Sequence, residues 1–386
     1  MTSLLLPTEA GGLEDYVLTS SEGLPAPRGR ALSRTAFAAA HVAVDPLADN
    51  TPGQPPTVDW ESTLGFRRHL FDYGFGLAEA MDTAQRGMGL DWPTAQELIR
   101  RSAKEAEAAG ARIAAGAGTD QLPAGPADLD TVRRAYLEQV AFVEDAGAQP
   151  IVMASRHLAA AASGTDDYRF VYDSVLGQVS RPVILHWLGT AFDPALMGYW
   201  GSDDVAVATD TFVDLVTAHA DRVDGVKVSL LDADHEKALR ARLPEGVRLY
   251  TGDDFNYPEL IRGDGQHHSD ALLGIFAAIA PAASEALHAL DRGDLAAYDA
   301  AFGPTLPLAR KVFAAPTYYY KTGVAFIAWL SGFQPGFTMV GGLQSARSVA
   351  HLAEVFRLAD AANLLPDPAL AAHRMRLLLE TAGVRP

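Results

Sequence analysis

Short apolar runs separated by longer stretches of helical periodicity fill most of the chain between residues 39 and 281. The runs lie at Ala39 to Val44 (AAHVAV), Gly74 to Ala78 (GFGLA), Arg112 to Ala115 (RIAA), Pro150 to Ala154 (PIVMA), Pro182 to Trp187 (PVILHW), Gly225 to Ser229 (GVKVS), Val247 to Thr251 (VRLYT) and Ala271 to Ala277 (ALLGIFA). Each has the length and composition of a strand buried on both faces. Between them, TAQELIRRSAKEAEAAG and LDTVRRAYLEQVAFVEDAG place apolar residues at helical spacing and close on a glycine, the residue that most readily ends a helix. Strands alternating with helices imply a parallel sheet, and eight repeats fit a closed (β/α)8 TIM barrel better than an open sheet. Residues 1–35 are turn-rich, with Pro25 and Pro27, and read as an N-terminal arm or small hairpin. From about Ala282 the strand signal stops and helical patterns continue to the end. The expected organisation is therefore an arm (1–35), a barrel (36–281) and a C-terminal helical extension (282–386). Tyr318, Tyr319, Tyr320, Phe326, Trp329 and Phe333 read as packing between extension and barrel or between subunits, and Lys321 among them as structural.

Composition narrows the class of protein. The chain has 386 residues, 48% of them hydrophobic and 20% charged, as in a soluble globular protein with one large core and an appendage. No uninterrupted apolar stretch is long enough to span a bilayer. A formal net charge of −17 argues against affinity for a nucleic-acid backbone and leaves a small molecule as the expected partner. The absence of cysteine removes disulfides, thiolate nucleophiles and cysteine-bound metals, and the start MTSLLLPTEAGG lacks a basic segment ahead of an apolar core, so cytoplasmic residence is the expectation. No GxGxxG turn follows the first strand, which speaks against a dinucleotide cofactor. No cofactor is called for, and no metal.

Candidate chemistry centres on Lys227, a lysine inside a buried strand pattern. Such an amine must find a partner or shed its proton, because desolvation disfavours the charged form. A neutral amine at the mouth of a barrel is a nucleophile toward carbonyl groups; the competing reading is a lysine that reaches solvent or pairs with Asp224. Barrel enzymes work at the carboxyl ends of their strands. Those ends carry His41 and Asp45, Glu79 and Asp82, Asp120, then Ser155, Arg156 and His157, then His186, Lys227 with Ser229, and Asp253, Asp254 and Asn256.

In order and spacing these segments resemble the class I aldolase superfamily of dihydrodipicolinate synthase and N-acetylneuraminate lyase. The second strand, GFGLAE, closes on Glu79, and the third runs into the glycine-rich turn AAGAGTD. PVILHW is similar to the family's fifth strand, GVK places Lys227 at the position of its Schiff-base lysine, and Gly252 and Asp253 match a glycine-aspartate pair after the seventh strand. The likeness covers roughly residues 39–335. AAHVAVDP and GLAEAMDTAQRGMGLDW are more similar still to an uncharacterised subgroup of dihydrodipicolinate synthase-like proteins. The resemblance implies a (β/α)8 barrel with C-terminal helices and a homo-oligomer, dimer or tetramer.

Departures from the family pattern bear on the substrate. Gly76 and Leu77 stand where the family carries a threonine pair that holds a pyruvyl carboxylate, and LGTAFDP lacks the arginine found after the fifth strand; Arg156 is the candidate substitute. His186 replaces the family's proton-shuttling tyrosine, and an imidazole with an ordinary pKa of about 6.5 can serve as acid and base near neutrality. The expected activity is that of a class I aldolase or lyase. Lys227 forms a Schiff base, His186 moves the proton, and Glu79, Asp82, His157 and Asp254, with Arg156, His41 and Asp45, hold a polyhydroxylated keto-sugar or sugar-acid derivative. Two alternatives stand beside it. One is a metal-dependent isomerase or hydrolase using the His41, Asp45, Glu79, His157 and His186 ligand types; the other is a non-catalytic ligand-binding barrel. No HExxH is present, and His267 with His268 reads as a loop feature.

Overall fold

The computed structural model describes residues 2–384. A hairpin comes first, β1 (Ser3–Pro7) pairing antiparallel with β2 (Leu13–Val17). Eight parallel strands follow: β3 (Ala36–Ala39), β4 (Gly76–Glu79), β5 (Ile113–Ala117), β6 (Gln149–Val152), β7 (Val183–Leu188), β8 (Val223–Ser229), β9 (Arg248–Thr251) and β10 (Asp270–Leu273). They close in sequence order, with β10 pairing back onto β3. Each of the eight expected runs overlaps a barrel strand, the first only at Ala39. The outer two differ in extent: β3 ends at Ala39, because Val42 and Val44 beyond it pack into the layer around the barrel, and β10 stops at Leu273, because Phe276 and Ala277 already belong to a helix.

Helix limits follow local chemistry. Asp91 caps the helix Trp92–Ala109 by accepting from the Thr94 N–H, and Gly110 ends it at φ +62°, a backbone conformation that favours glycine. Asp59, Asp128 and Asp232 cap the helices Trp60–Asp72, Leu129–Asp145 and Ala233–Arg240 in the same way.

Inside the ring, side chains alternate between large and small. Phe37 and Tyr250 meet edge to face at 5.9 Å and pack with Ala39, Ala78, Ala114 and Ile151. Gly76 is what lets Phe37 lie there, since a Cβ at that position would stand 2.6 Å from its ring. The strand period of two decides which residues face this interior. On β8, Val226 and Val228 belong to the cluster under the surrounding helices, so Gly225, Lys227 and Ser229 face inward. On β7, Leu185 and Trp187 face the helices and Ile184 and His186 face inward.

The helix Phe276–Asp291 packs against β3 and crosses residue 281, where the barrel was expected to end; Pro281 lies within it. Among the described residues five further α-helices follow, Leu295–Phe302, Thr305–Val312, Tyr320–Leu330, Val349–Ala361 and Pro368–Thr381. Every residue of Tyr320–Leu330 is buried, as suits a helix apolar on all sides. It shares one continuous core with Phe75, Ile275 and Phe276 of the barrel. Tyr320, Phe326 and Trp329 are thus spent on packing within the chain. The N-terminal hairpin lies on the helix Val349–Ala361, where Asp360 accepts from the Tyr16 hydroxyl at 2.7 Å and from the Thr19 and Ser20 N–H groups. Among the described residues no helix is long and apolar enough to cross a membrane.

Candidate active site

Register brings the two central side chains together. In the β7–β8 ladder His186 lies opposite Lys227 and Leu188 opposite Ser229, and His186 Nε2 is 3.2 Å from Ser229 Oγ. Lys227 is 5% exposed. Burial pulls its amine below the ordinary lysine value, against the opposing fields of Asp82 and Asp254. Burial likewise holds His186 well below the ordinary histidine value, with Lys227 acting in the same direction, so the imidazole is neutral at physiological pH. Asp254, just after β9, accepts the Ile275 N–H at 2.9 Å, and burial pushes its carboxyl well up despite Lys227. An amine and a carboxyl group are both driven toward their neutral forms.

Asp82 enters from the short turn after β4, where Ala80 takes φ +50°. Burial alone would raise its carboxyl, but Lys227, Lys321 and His186 together with a hydrogen bond from the Tyr320 hydroxyl leave it below the ordinary value. That hydroxyl is 2.7 Å from Asp82 Oδ2 and 2.6 Å from Thr83 Oγ1, and burial keeps the phenol protonated. The helix Tyr320–Leu330 therefore delivers two polar groups to the barrel mouth, neither of them expected from the sequence. A lysine in an otherwise apolar helix was the available signal.

A cavity of about 660 Å3 opens at this end of the barrel. Asp82, His186 and Lys321 form one part of its wall and Thr119, Arg156 and His157 another. Lys227 is not on the wall itself; it lies opposite His186 in the ladder and within the fields of Asp82, which is on the wall, and of Asp254. His157 Nδ1 is 3.0 Å from Thr119 Oγ1, and its Nε2 is 3.1 Å from the Pro123 carbonyl. Arg156 donates to Asp193 at 2.6 Å. Arg86 is likewise held by Asp120, Nε to Oδ2 at 2.7 Å.

Three residues expected at the site lie elsewhere. Glu79 points out of the barrel into a fully buried ion pair with Arg67, whose Nε and Nη2 donate to its two oxygens at 2.9 and 3.0 Å; Ser102 and the Ala80 N–H occupy the remaining acceptor positions. A carboxylate so saturated has no lone pair to offer a substrate. His41 packs against Phe66 with Nε2 2.8 Å from Gln334 Oε1, and burial lowers it to about 4. Asp45 closes a turn by accepting the Leu47 N–H. The nitrogen and oxygen donors named for a metal are thereby scattered, and among the described residues no three His, Asp or Glu side chains form a metal-binding group.

Comparison with solved structures finds this architecture in the dihydrodipicolinate synthases. The protein from Bacteroides thetaiotaomicron superposes with a TM-score of 0.63 at 13% identity, over 83% of this chain and 97% of its own. That from Bacillus clausii gives 0.62 at 14% identity over 85% and 98%, and that from Oceanobacillus iheyensis 0.59 at 13% over 92% and 98%. The resemblance drawn from the sequence holds at the level of the fold, and identities this low leave the reaction to be argued from the site. No curated protein matches the chain. The match spanning nearly all of it, residues 4–384, is to the family described as "Protein of unknown function (DUF993)", and the chain belongs to that family.

Proposed function

We propose that the protein is a class I aldolase or lyase acting on a carbonyl compound through a Schiff base on Lys227. The observation that carries this reading is an inward-facing strand lysine, 5% exposed, whose amine burial drives toward its neutral, nucleophilic form between Asp82, Asp254 and His186. The amine adds to the carbonyl carbon; the oxygen takes up two protons and leaves as water, giving an iminium that accepts the electron pair of the bond broken next. His186, neutral and hydrogen-bonded to Ser229, takes the proton from the departing fragment and returns one to the product. On the cavity wall Asp82 and His157 offer acceptors and donors to hydroxyl groups, which suits a polyhydroxylated keto-sugar or sugar-acid derivative; Asp254 lies off that wall, in the field of Lys227. Glu79, His41 and Asp45 have no part in this reading. A cytoplasmic setting and a homo-oligomer remain part of the proposal, the oligomer on the resemblance alone, since the aromatic residues of Tyr320–Leu330 are consumed inside the chain.

Borohydride reduction in the presence of candidate carbonyl compounds, followed by peptide mass mapping, tests the mechanism. The expected adduct is on Lys227 and disappears in Lys227→Met. A substrate that is turned over without labelling Lys227 removes the mechanism, and an adduct on Lys321 transfers the nucleophile to that residue.

A further inference from the structure

Three cationic side chains stand on the cavity wall, and two are already engaged. Arg86 is bound by Asp120 and Gln139, and Arg156 by Asp193. Lys321 is 2% exposed, yet the only acceptor for its Nζ among the described residues is the thioether of Met88, at 3.2 Å. The Tyr320 ring lies 5.2 Å away. Sulfur is a weak acceptor, and a charged donor loses most when it has no oxygen partner. A buried ammonium facing a cavity without an oxygen partner is a site waiting for an anion.

We propose that Lys321 is the anion-recognising residue of this cavity and that the substrate carries a carboxylate for it. Strand β4 offers no hydroxyl to an anion, because Gly76 and Leu77 lack one and the Phe37 ring fills the space beside Gly76. The helix Tyr320–Leu330 supplies the charge from another direction. Burial lowers the Lys321 ammonium to about 8, with Asp82 and Asp193 opposing and Arg156 reinforcing, so it is charged at neutral pH and an anion strengthens that state. Asp120 is paired with Arg86 and Asp193 with Arg156, which leaves Asp82 as the carboxylate whose field reaches Lys321 most strongly; a carboxylate ligand adds one negative charge to this wall and a phosphate dianion two, which the single ammonium offsets less well. The inference rests on the cavity being the substrate site and is independent of imine formation.

Titration calorimetry on the full chain with lactate, glycerate and gluconate, each beside its amide, provides the test. None of these has a carbonyl group that can condense with an amine, so a failure of borohydride trapping and a failure here are distinct results. At least one carboxylate is expected to bind, with its amide at least about tenfold weaker. Lys321→Met should weaken the carboxylate by about tenfold or more and leave the amide unchanged, while Lys321→Arg keeps carboxylate binding and loses its decline above about pH 8. Circular dichroism melting establishes that each variant is folded. Absence of binding by all three carboxylates, or equal affinity in wild type and Lys321→Met, overturns the proposal, as does glycerol 3-phosphate binding more tightly than glycerate. If Lys321→Met does not fold, loss of the carboxylate preference in Lys321→Arg is the overturning result.

Discussion

Replacing Glu79 with alanine asks whether this carboxylate holds the barrel or a substrate. It accepts four hydrogen bonds, two of them from Arg67, and both charged side chains are fully buried. In Glu79→Ala the guanidinium stays inside with only the His41 and Thr63 carbonyls as partners. Breaking one side of a buried pair costs about 3–5 kcal/mol. At about 2.1 cal/mol/K of unfolding entropy per residue, 386 residues give about 0.8 kcal/mol/K, so a loss of about 4 kcal/mol lowers Tm by about 5 °C. Arg67→Met should cost a similar amount, and the double variant Arg67→Met/Glu79→Met should recover more than half of the summed loss, because the two charges leave together. Thermal melts of the four proteins measure this, and calorimetry with the best-binding carboxylate at a temperature where all are folded should show affinity within about twofold of wild type. A Glu79→Ala protein that melts like wild type but loses ligand affinity would return Glu79 to the substrate site and refute the reasoning.

Other outcomes follow from the same geometry. His186→Phe should lower turnover by about 10²–10⁴ while borohydride still labels Lys227, since the imidazole moves protons and the amine makes the bond; loss of labelling would give His186 a different role. In Gly252→Ala the new Cβ would meet Ser229 Oγ, the Val228 carbonyl at 2.8 Å and Lys227 Cε at 2.9 Å. Labelling of Lys227 should slow, and stability should fall by about 1–3 kcal/mol; labelling at the wild-type rate would show that the amine is not confined. Glu236 accepts from Thr251 and Ser269, and burial raises its carboxyl from 4.5 to about 8. The fold therefore holds a proton there that the unfolded chain releases above about pH 4.5, and the stability this gives at low pH is lost as pH rises through about 8. Urea titrations should show Glu236→Gln gaining on wild type across that window by up to about 5 kcal/mol, and a constant difference would exclude the buried acid.

What the sequence revealed and what it hid divide along the range of the interactions involved. The strands of the barrel announce themselves as local apolar runs, and the period of two on GVKVS and PVILHW suffices to turn Lys227 and His186 inward once the valines and Trp187 are assigned to the helices. Position at a strand end, by contrast, does not say which face a side chain takes. Glu79 and Asp82 are three residues apart, yet the turn at Ala80 sends the first outward to Arg67 and the second into the cavity. No local pattern shows that Arg67, twelve residues earlier, saturates Glu79. Lys321 was hidden for the same reason. Its helix reads as core, which it is, and only the fold brings its first turn beside Asp82, more than two hundred residues away.

Asp82 is the residue through which the two lysines feel each other. Its carboxylate raises both amines, opposing the burial that lowers them, and the Tyr320 hydroxyl holds it in place. Asp82→Asn keeps the shape and an acceptor for Tyr320 while removing the charge, so both amines should lose their protons at lower pH. The consequences for function are opposite. More of Lys227 is neutral at a given pH, so the pH profile of borohydride trapping should move toward acid. Less of Lys321 is charged, so the pH at which carboxylate binding is lost should also move down, and the range over which anion binding and imine formation coexist shifts as a unit. One substitution thus displaces two independent titrations in the same direction. If trapping shifts and anion binding does not, Lys321 is not the group that holds the carboxylate; if neither shifts, Asp82 does not govern the site.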